Sequence, residues 1–168
     1  MAVQYLKRGK SDAEKAQADS KVQETVKNLL ADIAARKSEA VRELSAKFDH
    51  WSPPDFKLSS DQIQAIIGAL PQRTIDDIRF AQDQVRRFAR AQRAALVDIE
   101  VETLPGVVLG HKNIPVSRVG CYVPGGRYPM VASAHMSILT AKTAGVDFVV
   151  ACTPPINGEL PAATIAAM

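Results

Sequence analysis

The sequence predicts an α/β protein with two regions, residues 1–96 helical and residues 97–168 built from a β-hairpin followed by the first βαβ unit of a parallel, three-layer domain. Three observations carry this expectation. Apolar residues recur at helical spacing as far as Leu96, the period changes to alternation at Val97, and a Pro-Gly-Gly turn at Pro124 separates a short apolar run from an Ala/Ser-rich helical pattern.

The helical region opens with a stretch from Asp12 to Arg36, where Val22, Val26, Leu29, Leu30 and Ile33 make one apolar face and Ser20, with Glu24 nearby, is expected to cap the main part. Ser38 starts a second helix through Ala40, Val41, Leu44 and Phe48, which Pro53 and Pro54 stop. Ser59 or Ser60 opens a third through Ile63, Ile66, Ile67 and Leu70, and Pro71 breaks it. The fourth runs from about Gln72 to Leu96, with Ile75, Ile78, Ala81, Val85 and Phe88 expected on its buried side. Arg79, Arg86, Arg87, Arg90 and Arg93 fall mostly off that side, and Asp76, Asp77 and Asp83 among them favour a solvated face over a polyanion-binding strip.

Alternation from Asp98 to Thr103, a turn at Leu104-Pro105-Gly106 and an answering run from Val107 to Lys112 predict a hairpin. Beyond it the order is strand (Arg118 to Val123), helix (Val131 to Ala144), strand (Asp147 to Cys152), turn (Thr153 to Gly158) and helix (Leu160 to Met168). That order makes a βαβ unit with two parallel strands. Two such strands leave an open edge and a half-covered face, so the sequence is expected to be part of a longer protein.

Of the 168 residues 46% are hydrophobic and 5% aromatic, enough for a real core. The formal charge of +3 is spread along mixed helical patterns, so no nucleic-acid face is expected. No long apolar segment suggests a membrane span, and no leader suggests secretion. Cys121 and Cys152, both inside apolar strand patterns, are expected to be buried thiols in a reducing cytoplasm. His50, His111 and His135 lie apart, with no two at metal-ligand spacing.

The corner Val119-Gly120-Cys121-Tyr122-Val123-Pro124-Gly125-Gly126-Arg127-Tyr128-Pro129 has the outline of a ligand site, because glycines let a ligand approach the main chain and a helix start offers N–H groups. Together with Ala132-Ser133-Ala134-His135-Met136, Ala141 to Val146 and Cys152-Thr153-Pro154-Pro155, it closely resembles the histidinol dehydrogenase family, from about Val22 onward. The resemblance implies an NAD-dependent, zinc-containing alcohol dehydrogenase with a Rossmann-like, aldehyde-dehydrogenase-like domain, of which this is the N-terminal part. It implies a Glu-His catalytic pair and zinc ligands beyond the residues present here, so no catalytic or metal-binding residue is assigned. It implies NAD binding by Tyr122, Pro124, Gly125, Gly126 and Pro154, at the carboxyl ends of adjacent strands.

Arg127, Tyr128 and His135 depart from ordinary members of that family, and the Gly-Gly-Arg-Tyr-Pro-Met and Ala-Ser-Ala-His-Met strings look most like its sulfopropanediol dehydrogenase branch. Arg127, Ser133 and His135 are accordingly expected to bind a small anionic polyol, a guanidinium suiting sulfonate, phosphate or carboxylate. The alternatives are that Arg127 meets cofactor phosphate or solvent and that His135 is a core histidine. Histidinol is the second substrate candidate. The resemblance further implies a homodimer in the full-length form, to which the N-terminal helices could contribute. A reading of another class is a short nucleotide-binding or interaction fragment without catalysis.

Overall fold

The computed structural model describes residues 9, 11–125 and 128–168. The chain divides into two compact units between Ser52 and Pro53, upstream of the change of period at Val97. No helix among the described residues is long and apolar enough to cross a membrane.

The first unit holds α1 (Asp12–Arg36) and α2 (Ser38–Asp49), separated by Lys37 at a positive φ of 53°. Arg36 joins them, donating to Asp32 Oδ1 at 2.7 Å within α1 and to Glu43 Oε1 at 2.8 Å across the turn. The guanidinium holds both carboxyls below their usual range. Ser20 does not cap anything: α1 runs unbroken through it, because the helical pattern begins eight residues earlier. The C-terminus of α2 closes at His50, in the left-handed region at φ 50°, and Ser45 Oγ donates to the Trp51 carbonyl at 2.8 Å.

The second unit starts with α3 (Ser60–Gly68), where Ser59 makes the capping box: its hydroxyl accepts from Gln62 N–H while the Gln62 side chain accepts from Ser59 N–H. Pro71 then precedes α4 (Gln72–Ala95). The buried stripe of α4 passes through Ile78 and Ala89, with Ala81 and Val85 half-buried. Phe88, expected on this stripe, is 67% exposed, since the row through Ile78, Val85 and Ala89 puts it one helical step, about 100°, to the side. The exposed rows carry ion pairs such as Arg73 with Asp77 and Arg86 with Asp83.

β1 (Ile99–Leu104) and β2 (Val107–His111) form the antiparallel hairpin, turning at Pro105-Gly106 with Gly106 at φ 80°. Asp98 pins its open end, Oδ1 accepting from Asn113 N–H at 2.8 Å, and these bonds hold the Asp98 carboxyl below its usual range. β3 (Arg118–Tyr122) and β4 (Phe148–Cys152) pair in parallel, Arg118 opposite Phe148 through to Tyr122 opposite Cys152.

Between them lies one helical run in three parts: α5 (Val131–Ala134), a π-turn (His135–Leu139) and α6 (Thr140–Thr143). Gly145, at φ 96°, ends it in a Schellman arrangement, with Val146 N–H on the Ala141 carbonyl and Gly145 N–H on that of Lys142. After β4, Asn157 and Gly158 both take positive φ in a tight turn, and α7 (Ala162–Ala167) follows.

The core gathers Ile78 of α4, Val123 at the end of β3, Ala134 and Ala167, with Val131, Ile138, Ala166 and Met168 packed against it. Gln82 donates to the Ala167 carbonyl at 3.1 Å, tying α4 to α7. One face of the parallel pair, through Val119, Cys121 and Ala151, turns inward; the other, through Gly120, Tyr122, Phe148, Val150 and Cys152, is exposed. Cys152 is therefore not the buried thiol expected of it. Alternation along β4 puts it on the open face, whereas Cys121 is buried.

Candidate functional site

The corner forms where β3 and β4 end together. Val123 N–H donates to the Cys152 carbonyl at 2.8 Å, carrying the pairing one residue past β3 and delivering Pro124 and Gly125 beside Thr153 and Pro154. The approach is close: a Cβ built on Gly125 would lie 2.9 Å from Pro154 Cγ and 3.4 Å from its Cδ. Only a residue without a side chain fits there, which gives Gly125 a definite steric role. Tyr122 stands next to this contact, 64% exposed, with Cys152 opposite it on the same sheet face. An exposed aromatic ring is a surface on which a flat ring system can pack. Tyr122, Pro124, Gly125 and Pro154, the residues expected to bind the dinucleotide, are thus brought together by the two parallel strands. Gly126 and Arg127 lie outside the described residues.

Ser133 and His135, expected to bind substrate, lie on the helical run. Ser133 is half-buried; its N–H is bonded to the Met130 carbonyl at 3.0 Å and its own carbonyl accepts from Ser137 Oγ at 2.7 Å. His135 is 4% exposed, and burial holds its imidazole below the usual histidine range, so the neutral form prevails near pH 7. Its Nδ1 has no hydrogen-bond partner among the described residues. A neutral, buried His135 adds no positive charge to the substrate site expected at Arg127, Ser133 and His135.

The π-turn was not foreseen. A π-turn breaks the regular i to i−4 ladder, and the hydroxyls here reach back four residues to carbonyls: Ser137 to Ser133, Thr140 to Met136, and Thr143 to Leu139 at 2.8 Å. The legible signal was the hydroxyl row Ser137, Thr140, Thr143 at three-residue spacing in an otherwise apolar helix.

The sequence profile of histidinol dehydrogenase matches residues 12–168. The chain belongs to the histidinol dehydrogenase family. It is 60% identical over 165 residues to a histidinol dehydrogenase homolog of Shouchella clausii, covering 98% of this chain and 39% of that protein. It is 47% identical over 162 residues to the sulfopropanediol 3-dehydrogenase of Ruegeria pomeroyi, covering 94% of this chain and 36% of that protein. The crystal structure of histidinol dehydrogenase from Elizabethkingia anophelis superposes with a TM-score of 0.80 at 26% identity, over 97% of this chain and 35% of that one. The mixed helix and strand architecture is therefore that of a known family member. The chain spans less than two fifths of the length of these two curated relatives.

The family's two non-protein groups fit this chain unequally. The dinucleotide is expected at the corner, where Gly125 packs directly on the Pro154 ring beside the exposed Tyr122 side chain. For zinc, no group of three or more His, Cys, Asp or Glu side chains gathers among the described residues. No chemistry of a metal can be assigned to them.

Proposed function

We propose that this chain forms the dinucleotide-binding side of an NAD-dependent, zinc-containing dehydrogenase that oxidises a small anionic polyol to a carboxylate, with 2,3-dihydroxypropane-1-sulfonate going to sulfolactate as the preferred case. The single observation that supports the cofactor part is the Gly125–Pro154 approach beside the exposed Tyr122 at the carboxyl ends of two parallel strands, the edge at which open α/β sheets take ligands. The nicotinamide, when bound, accepts a hydride in each of two steps, alcohol to aldehyde and aldehyde to acid. The residues of this chain bind and orient: Tyr122 stacks on the dinucleotide, while Pro124, Gly125, Gly126 and Pro154 shape the turn it lies against. The proton-transferring pair and the zinc ligands belong to other residues of the whole enzyme, which we propose acts as a cytoplasmic homodimer.

For the substrate, support comes from the 47% identity to the sulfopropanediol enzyme, against 34–36% for relatives named histidinol dehydrogenase, and from Arg127, whose guanidinium suits a sulfonate. The test is steady-state kinetics of the complete enzyme with Arg127→Ala. The Michaelis constant for the sulfonate should rise far more than that for an uncharged diol of the same length; equal rises refute anion recognition by Arg127. Measurable NAD binding with no turnover on any diol would instead favour a non-catalytic nucleotide-binding protein.

A further inference from the structure

We draw no further inference here: the strongest candidate, the cleft between α4, α6 and α7 with Arg86, Arg90 and Lys142 on its walls, carries nothing, because Arg86 is bonded to Asp83 and Lys142 to the Val146 and Asp147 carbonyls, and nothing in the structure of a chain that spans under two fifths of these relatives shows what covers the rest.

Discussion

Replacing Gly125 with Ala tests the geometry of the corner directly. The added methyl would sit 2.9 Å from Pro154 Cγ, where carbon atoms prefer about 3.5 Å or more, an overlap of about 0.6 Å. Pro154 cannot swing away, because its ring is closed on its own backbone between Thr153 and Pro155. Overpacking of this kind costs about 1–3 kcal/mol. If the strain is relieved by opening the turn, and the dinucleotide needs the turn closed, the same energy weakens NAD binding by roughly fivefold to 150-fold.

Pro154→Ala removes Cγ and Cδ and with them the obstacle, so the two changes together should recover most of what Gly125→Ala loses. Urea unfolding and NAD titration of the intact protein, run on both single variants and the double, give the coupling energy, expected at about 1 kcal/mol or more. Additivity within about 0.5 kcal/mol would refute the close approach as the constraint. Coupling in stability without coupling in NAD affinity would keep the geometry and remove the cofactor from this corner.

Three further variants probe other parts of the second unit. His135→Leu replaces a buried, unpartnered imidazole with a side chain of similar bulk and should leave stability unchanged or raise it by about 1 kcal/mol. Its pH dependence has a definite sign: the folded-state pKa lies below the ordinary 6.5, so the unfolded chain takes the proton first. His135 thus costs stability as pH falls below about 6.5, and urea midpoints over a pH series should lose that component in the Leu variant. Ser137→Ala with Thr140→Val deletes two hydroxyl bonds worth about 0.5–1.5 kcal/mol each and should speed amide exchange at residues 135–139; unchanged exchange would mean the hydroxyls do not hold the π-turn. Gly110→Ala should be harsher than Gly125→Ala, since its methyl would meet the Ile99 carbonyl oxygen, main chain with no rotamer to yield. Loss of the cross-strand contacts between Val101 and Leu109 by NMR is the expected sign, and an intact ladder refutes it.

The elements legible in the sequence were those set by local chemistry. The Ser59 cap, the turn at Pro105-Gly106, the period change at Val97 and the strand-turn-helix order around Pro124 each depend on a few neighbouring residues, and each recurs in the structure. What escaped depended on what lies across from a residue. Phe88 and Cys152 sit in apolar patterns, yet no layer among the described residues covers their faces, and a pattern cannot say whether its partner is present. The contact of Gly125 with Pro154 joins positions far apart in the chain and follows only once β3 and β4 pair in register. The π-turn hid for a subtler reason: its hydroxyl row was visible, but Ser and Thr in a helix more often bend it than add a residue to its turn.

His135 shows how the structure changes the chemical argument for substrate recognition. From the sequence, Arg127, Ser133 and His135 are together expected to bind an anionic polyol. Burial removes the histidine's charge near neutral pH and leaves Nδ1 without a partner among the described residues. A neutral imidazole pairs with a hydroxyl or an amide, whereas a sulfonate at neutral pH has no proton to give and prefers a cationic donor. On the proposed reading, charge selection is assigned to Arg127, and His135 is left to serve an uncharged group. This separates the two residues experimentally. In the complete enzyme Arg127→Ala should discriminate anionic from neutral diols, whereas His135→Leu, if it alters turnover at all, should affect both alike. A selective loss of the sulfonate substrate in His135→Leu would mean that the imidazole becomes charged when substrate binds, against the cost of its burial.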